Sequence, residues 1–391
     1  MKQAQTYDEI KPLIELCKAG KFFDAQAWIS EGKPVDPPLP VEGKARKKGP
    51  LEVAIETGFH SLVEVLLDGG ASVECPRYNP LLHALWKRRH DMVSLLVEHG
   101  ADINSVDMEE VFHTWNNDIV EYFIEKGANA EWGDPLAAAL CSRIRTALAI
   151  FMRYKDRFPS FQEQVNIALR HHCKEGNLKW VSLMLWAGAD PYTKGPDRPG
   201  YEPDPEEDNS ALELAAWFGH LDIFKLKAIR LDPNKEVFRD LMRNACHNDS
   251  ADLLKMLLEK GFSPRDMDDK GSSLIRSLLL SMDWNFDPFS FTRQKKDIDT
   301  SRSREKIKMI HMLARNGARW EPSDRYDINE ARRTFLKMIP DYVMEFIWIM
   351  SEYKSCTRAI IEDLTKTPAM RTHISRNINR YNELVKALNT M

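Results

Sequence analysis

Three consecutive residues, His171, His172 and Cys173, form the densest cluster of potential metal ligands in the sequence. On a helix, successive side chains point about 100° apart, so these three side chains cannot bind one ion together. No acidic or cysteine pair with ligand spacing lies beside them in the sequence. We therefore predict no metal site and no cofactor.

The motifs of common enzyme active sites are also missing from the sequence. None of the patterns GxxxxGK[ST], GxGxxG, HExxH or GxSxG occurs, nor does the protein-kinase set. Isolated acids such as Glu345 and Asp363 have no partner at a spacing that indicates acid–base catalysis. We predict that the protein is not an enzyme, with an unrecognised activity in the C-terminal part as the alternative.

The six cysteines are scattered at positions 17, 75, 141, 173, 246 and 356, and none belongs to a Cys-x-x-Cys pair. This distribution favours reduced thiols in the core over disulfides or a zinc site. The N-terminus, MKQAQTYDEI, has no apolar segment of the kind found in signal peptides. Every apolar stretch is shorter than the roughly 18 residues that would span a bilayer. We expect a cytoplasmic protein without membrane contact.

Three stretches differ in composition from the rest of the chain. Residues 44–48 form a basic loop, which we interpret as solvated. Residues 197–208 carry six acids, one arginine and three prolines at a spacing that does not fit an EF-hand, so they form a solvated insertion or an acidic contact loop for a basic partner. Residues 283–304 combine aromatic side chains with cations. Such a segment anchors on its own protein or on a protein partner, or alternatively stacks nucleic-acid bases.

An internal repeat is the strongest signal in the sequence. Residues 49–74, GPLEVAIETGFHSLVEVLLDGGASVE, and 79–104, NPLLHALWKRRHDMVSLLVEHGADIN, share one pattern. Their closing glycines, Gly70 and Gly100, are 30 residues apart, and Gly127 follows 27 residues later. Weaker copies bring the number to about nine. A period near 30 indicates stacked helix-turn-helix units, because one unit cannot close a core alone.

The segment SALELAAWFGHLDIF at residues 210–224 resembles the ankyrin repeat, TPLHxAAxxGHxxVVxLLLxxGADxN, and the resemblance covers about residues 8–322. It implies an all-α, ankyrin-type helix-turn-helix solenoid. We assign residues 1–48 to a degenerate N-terminal repeat and 49–322 to the repeat array, with insertions at 196–209 and 283–304. Residues 323–391 would form a C-terminal helical cap with helices at 328–338, 342–353, 356–364 and 370–388. The second of these helices is apolar nearly all round and should be buried.

The resemblance also assigns positions to individual residues. The copy at Asp134–Tyr154 lacks the closing Gly-Ala-Asp, and Trp115 and Asp249 stand where a turn glycine is expected. We expect these copies to be distorted or irregularly stacked. His172 and Cys173 fall on small core positions and His171 on a variable surface position. His220 falls at a turn, where its side chain would brace the backbone.

For a protein of this family, the resemblance implies binding on the concave face formed by the first helices and the finger loops. Trp217 and Phe218 are the leading candidates, because exposed aromatic side chains dominate interface energies. The other variable positions and finger residues that we select for partner binding are Val53, Glu56, Tyr78, His83, Trp86, Lys87, His113, Trp132 and His171. The alternative is that these aromatic rings fill gaps between mismatched repeats.

Two classes of function follow. The first is a non-catalytic scaffold, monomeric alone, that clamps a protein partner as an inhibitor or immunity-type protein or as a subunit organising a complex such as a defence assembly. It needs no small-molecule substrate. The alternative is an adaptor whose basic end binds nucleic acid. Residues 291–391 carry 20 Lys and Arg against 13 Asp and Glu, which is a net charge of +7. Because the whole chain has a net charge of −4, residues 1–290 have a net charge of −11.

Overall fold

The computed structural model describes residues 3–39, 47–75, 78–201, 208–232, 237–267, 269–282, 300–322, 325–338 and 340–375. These residues form two compact units. The N-terminal unit comprises Met1–Ala168, Ala187–Ala189 and Pro196–Glu202, and the C-terminal unit comprises Leu169–Trp186, Asp190–Gly195 and Pro203–Met391. Each unit is built from pairs of antiparallel helices joined by tight turns.

The N-terminal unit holds five helix pairs and the start of a further helix. The pairs are α1 (Tyr7–Lys18) with α2 (Phe22–Ser30), α3 (Pro50–Thr57) with α4 (His60–Asp68), α5 (Pro80–Trp86) with α6 (His90–Glu98), α7 (Met108–Phe112) with α8 (Asn117–Glu125), and α9 (Pro135–Cys141) with α10 (Ala147–Tyr154). A 3₁₀ turn, Ile103–Ser105, precedes α7, and α11 (Ser160–Glu175) begins in this unit. First helices pack on first helices and second helices on second helices, as in α1 on α3 and α4 on α6.

The C-terminal unit continues the same plan. Its helices are the end of α11, α12 (Leu178–Ala187), α13 (Ala211–Trp217), α14 (Leu221–Phe224), α15 (Val237–His247), α16 (Ala251–Glu259), α17 (Ser272–Ser281), α18 (Thr300–Arg315), α19 (Arg325–Lys337), α20 (Pro340–Glu352), α21 (Arg358–Thr365) and α22 (Pro368–Ser375), with a 3₁₀ turn at Pro264–Asp266. Two short antiparallel strands, β1 (Lys194–Gly195) and β2 (Asn209–Ser210), pair Lys194 with Ser210. The predicted all-α helical solenoid is confirmed.

The sequence of each repeat explains its local structure. Proline at the first helical position, as at Pro50 and Pro80, needs no backbone N–H partner there. Ala54 and Ala84 are fully buried, so the first helices can approach closely. Gly58 ends α3 with φ of 79°, in the left-handed region that glycine reaches without steric cost.

Residues other than glycine also form this turn. Arg88, Trp115, Arg143 and Asp249 have φ values of 54°, 60°, 64° and 54°. The backbone bond that closes the turn is kept at Arg88, Arg143 and Asp249, for example from Ile144 N to Ala139 O at 2.9 Å. After Trp115, Asn116 N donates to Thr114 Oγ1 at 3.3 Å instead. The turn at Asp249 takes the glycine conformation and keeps the closing bond, so the expected distortion is absent from it. The turn at Trp115 takes the same conformation but departs from the pattern in its closing bond. Irregular stacking of these copies stays a prediction. The irregular repeat is the one whose second helix, α14, has only four residues.

The helices after residue 322 continue the stack. Helix α19 packs on α17 and α20 packs on α18, in the manner of the preceding pairs. Lys354, with φ of 50°, stands where Gly317 closes the previous pair. Ser355 N donates to Met350 O at 2.8 Å, just as Ala318 N donates to Leu313 O at 3.0 Å. Helices α19 and α20 thus pack in the manner of a further repeat pair. The assignment of residues 323–391 to a C-terminal helical cap stays a prediction.

Parts of the three predicted stretches lie outside the described residues. These parts are residues 44–46 of the basic loop, 202–207 of the acidic insertion, and 283–299 of the aromatic and cationic insertion. Of the predicted helix at 370–388, residues 376–388 are outside them too. Lys48, at the end of the basic loop, forms an ion pair with Glu56 at 2.6 Å.

Candidate interaction surface

Two exposed tryptophans occupy the same position in different repeats. Trp86 is the last residue of α5 and Trp217 is the last residue of α13. Each lies two residues before the left-handed turn residue, which is Arg88 in one repeat and Gly219 in the other. Their exposed fractions are 57% and 50%. The C-terminal end of the first helix therefore presents an indole ring to solvent in each unit.

Neighbouring side chains hold the Trp217 ring in place. The imidazole of His247, at the equivalent position of the next repeat, stacks on the indole at 5.1 Å between centroids and 15° between planes. The side-chain amide of Asn248 donates to the carbonyl oxygen of Trp217 at 3.0 Å. Phe218 is 47% exposed, and Lys174 Nζ lies 5.8 Å from the centroid of its ring. Trp217 and Phe218 thus form an ordered aromatic patch.

Trp86 is held in a different way. Its indole Nε1 donates to Glu110 Oε2 at 3.1 Å, and its ring lies 5.2 Å from that of His83. The His83 ring lies in turn 4.3 Å from the ring of Tyr78. Tyr78 is only 7% exposed, so it supports His83 from below and presents little surface to a partner.

The other predicted binding residues differ in accessibility. Lys87 and His113 are exposed, and His171 is half-buried. His113 Nδ1 lies 2.8 Å from the carbonyl oxygen of Glu109. Val53 is buried, which contradicts its selection as a surface position, because the adjoining repeats cover this end of α3. Trp132, near a finger, is 79% exposed.

The two core assignments near His171 are confirmed. His172 and Cys173 are fully buried, and the His172 ring stacks on Trp180 at 5.3 Å. The expected bracing role of His220 is confirmed as well, because its Nε2 lies 2.9 Å from the carbonyl oxygen of Lys174.

Sequence reasoning missed a buried charge network beside the aromatic patch. Glu213, 3% exposed, caps α13 through a reciprocal pair of bonds with Ser210, and Lys194 Nζ lies 3.2 Å from its carboxylate. Burial by itself would lower the pKa of Lys194, but the carboxylates of Glu213 and Asp240 overcome this effect and raise the pKa. The network holds the strand pair onto the first helices. The Ser-x-x-Glu spacing of a capping box was the available signal for it.

Cys17, Cys173, Cys246 and Cys356 are buried, and Cys75 and Cys141 are half-buried. Burial raises the pKa of Cys17, Cys141, Cys173 and Cys356 to about 12. Among the described residues, no group of three or more His, Cys, Asp or Glu side chains is arranged to hold a metal ion. In the same part of the chain, no helix combines the length and apolarity needed to cross a membrane.

Stacked helix pairs with left-handed turns define a helical repeat protein. Residues 13–107 match a family model of ankyrin repeats in three copies. This part of the chain is therefore built from ankyrin repeats, which are a protein–protein interaction module.

The known proteins that the chain resembles share this repeat. An ankyrin repeat and KH domain-containing protein of Caenorhabditis briggsae is 28% identical over 227 residues, which are 54% of this chain and 8% of that protein. The chain therefore spans a small part of that relative. The human ASB11 ankyrin repeat domain is 18% identical, with a TM-score of 0.39, 60% of this chain covered and 97% of that one. The ankyrin repeat domain of Bcl-3, of the IkappaB protein family, is 17% identical, with a TM-score of 0.29 and coverages of 65% and 87%.

Proposed function

We propose that the chain is a non-catalytic scaffold that binds a protein partner on the first-helix surface. Trp217 and Phe218 would make the main contact in the C-terminal unit, and Trp86 in the N-terminal unit. One observation carries the proposal: the last residue of the first helix is a half-exposed, side-chain-supported tryptophan in two repeats. An inhibitor or a complex-organising subunit would use such a surface.

The support around each ring favours tight binding. Ordering a side chain on association costs about 0.5–1.5 kcal/mol, and His247 and Glu110 already hold the two indoles in the free protein. Truncation of a buried tryptophan in an interface costs about 2 kcal/mol or more. The patch of Trp217 and Phe218 is therefore suited to be the energetic centre of an interface.

The charges of the C-terminal helices argue against the nucleic-acid alternative. Lys308 pairs with Glu305 at 2.6 Å and Arg358 with Glu362 at 2.7 Å. Arg332 and Lys366 share the carboxylate of Asp363. Cations that are neutralised within the protein release few counterions from a phosphate backbone, so they contribute little to nucleic-acid affinity. The described cysteines form no disulfide, which suits a reducing compartment such as the cytoplasm.

The test is affinity capture with the tagged full-length chain from its own cells, with and without nuclease. We expect a protein recovered in stoichiometric amount by the wild type to be lost with the Trp217→Ala/Phe218→Ala variant. The matched control is Trp186→Ala on second helix α12, where the ring is 68% exposed. This control should retain the partner.

Thermal unfolding separates binding from folding in this experiment. The unfolding temperature of both variants should stay within about 2 °C of the wild-type value, because about half or more of each removed ring is exposed to solvent. A parallel loss of midpoint and capture in the double variant would show that the rings are core. Recovery that disappears with nuclease would instead support the adaptor function.

A further inference from the structure

Three consecutive repeats of the N-terminal unit replace the turn glycine with a large side chain. Arg88, Trp115 and Arg143 occupy the left-handed turn between the first and second helices, with φ values of 54°, 60° and 64°. Glycine occupies the same turn in other repeats, as at Gly20, Gly58, Gly176 and Gly219. We call Arg88, Trp115 and Arg143 the turn ladder.

Glycine would fit the fold better at all three positions. A residue with a Cβ atom meets steric hindrance in the left-handed region, and an indole or guanidinium offers no local compensation for it. The turns at Arg88 and Arg143 keep their closing bonds, such as Arg89 N to Ala84 O at 3.2 Å. In the turn at Trp115, Asn116 N donates to Thr114 Oγ1 at 3.3 Å instead. Unfavourable backbone conformations that persist in a structure concentrate at functional sites. The backbone conformation of the three residues is therefore consistent with a role of their side chains outside the fold.

The side chains of the turn ladder are exposed to solvent, and its two arginines form no ion pair among the described residues. Trp115 is 53% exposed, and Arg88 and Arg143 are exposed. Within the part of the chain that the structure describes, neither arginine forms an ion pair, and the same holds for the adjacent Lys87 and Arg145. Other cations of this unit are neutralised, for example Lys18 by Glu15, Lys48 by Glu56 and Arg153 by Glu121.

Arg89, next to the ladder, shows the contrast clearly. Its Nε donates to Asp91 Oδ1 at 2.8 Å, and its Nη1 donates to the carbonyl oxygen of Gly58 at 2.9 Å. This arginine has a structural role and no free charge. The ladder arginines have the opposite character, since their charge is free and their backbone is strained.

We propose that the turn ladder binds an acidic segment of a protein partner. Carboxylates would pair with Arg88 and Arg143, and an apolar side chain between them would cover the Trp115 ring. Packed helices lie about 8–10 Å apart, so the two arginines are separated by about 20 Å, which an extended peptide of roughly six residues spans. This surface is additional to the first-helix surface of the proposed function, and it does not depend on that surface.

A protein segment fits the ladder better than a nucleic acid does. Residues 1–290 have a net charge of −11, which repels a long polyanion. Glu109 and Glu110 also lie on α7, the helix that leads to Trp115. A short protein segment has only a few carboxylates, so it can reach the unpaired arginines without bringing negative charge close to these acids. A nucleic acid would bring a continuous chain of phosphates to them.

The experiment uses the full-length chain and fluorescence anisotropy at about 50 mM salt. The probe is a fluorescein-labelled peptide of about 12 residues composed of Glu, Asp and Leu, long enough to cross the three turns. A peptide with Lys in place of the acids and an oligothymidine of similar length are measured alongside it. The variants are Arg88→Gly/Arg143→Gly and Trp115→Gly, with Lys11→Gln/Lys155→Gln as the control. Lys11 and Lys155 are exposed cations of the same unit, so this control removes the same charge.

We expect the wild type to bind the acidic peptide, and each ladder variant to raise the Kd about tenfold or more. The lysine control should change the Kd less than twofold. The glycine variants should unfold at or above the wild-type temperature, because they relieve backbone strain, so lost binding could not be attributed to unfolding.

Three results would overturn the proposal: no binding of the acidic peptide, equal weakening by the lysine control, or tighter binding of oligothymidine than of the peptide. None of them bears on the first-helix surface, because Trp86, Trp217 and Phe218 are intact in every variant used.

Discussion

At the scale of single residues, the left-handed turn separates two kinds of glycine. A Cβ atom on Gly176 would lie 2.5 Å from Nδ1 of His220, whose ring is fixed by its contact with the carbonyl oxygen of Lys174. A Cβ atom on Gly219 would meet nothing within 4 Å. Both glycines have a positive φ, at 70° and 77°, so they differ only in the space around them.

This difference predicts unequal costs for two alanine substitutions. Gly219→Ala should lower the free energy of unfolding by about 1 kcal/mol, which is the backbone penalty alone. Gly176→Ala should lower it by roughly 1–3 kcal/mol more, because the His220 ring must move and lose its backbone contact. Urea unfolding followed by circular dichroism measures both. Equal midpoints for the two variants would show that the His220 ring is free to move away.

At the scale of elements, helix α20 shows how the stack is continued beyond the recognisable repeats. Phe346 is 1% exposed, and its ring lies 5.6 Å from that of Trp320 and 5.2 Å from that of Phe335. It therefore connects three elements: α20, α19 and the turn after α18. Trp348 on the same helix is 41% exposed. One face of α20 is core, whereas part of the other meets solvent.

Phe346→Ala should lower the free energy of unfolding by about 3–5 kcal/mol, the usual cost of an emptied phenylalanine site in a core. Trp348→Ala, the control on the same helix, should cost about 1 kcal/mol or less. Thermal unfolding of both variants tests the assignment. A small effect of Phe346→Ala would mean that α20 is only loosely attached to α19 and to the turn after α18.

The repeat pattern also explains which elements the sequence could predict. Alternating small residues, leucine runs and closing glycines identified the pairs up to α18, and the four helices after them were expected at nearly their observed positions. The repeat-like packing of α19 and α20 was missed because Lys354 replaces the closing glycine. For the surface, the pattern located the first-helix positions but could not tell that neighbouring repeats cover Val53 and Tyr78. Burial at these positions depends on contacts between repeats that have diverged.

At the scale of the whole molecule, buried thiols occur in both units. Cys17 and Cys141 belong to the N-terminal unit, and Cys173 and Cys356 to the C-terminal unit. Burial raises the pKa of each from 9.0 to about 12. In the unfolded chain these thiols ionise above pH 9, whereas in the folded chain they stay protonated. Their contribution to stability is thus complete below pH 9 and is lost as the pH rises toward 12.

We therefore expect the temperature of the unfolding midpoint to decrease as the pH is raised from 9 to 12. In this range, each thiol alone lowers the free energy of unfolding by up to about 1.4 kcal/mol per pH unit. Cys173→Ala should flatten this fall relative to the wild type. Iodoacetamide at pH 8 should modify the buried Cys17, Cys173 and Cys356 only after the protein unfolds, as mass spectrometry of alkylated peptides would report. Rapid alkylation of Cys173 in the native protein would contradict its burial.

The left-handed turn carries a lesson for the divergence of repeat arrays. After α20, the turn at Lys354 keeps the backbone bond that is found at the glycine turns. The turns at Arg88 and Arg143, between the first and second helices of their pairs, keep their closing bonds as well. An array whose turns tolerate such replacements can mutate away from its ancestral pattern one repeat at a time while keeping its architecture. Each tolerated replacement brings a new side chain to the same place in the stack, so loss of the consensus supplies the variation from which new binding specificities are selected.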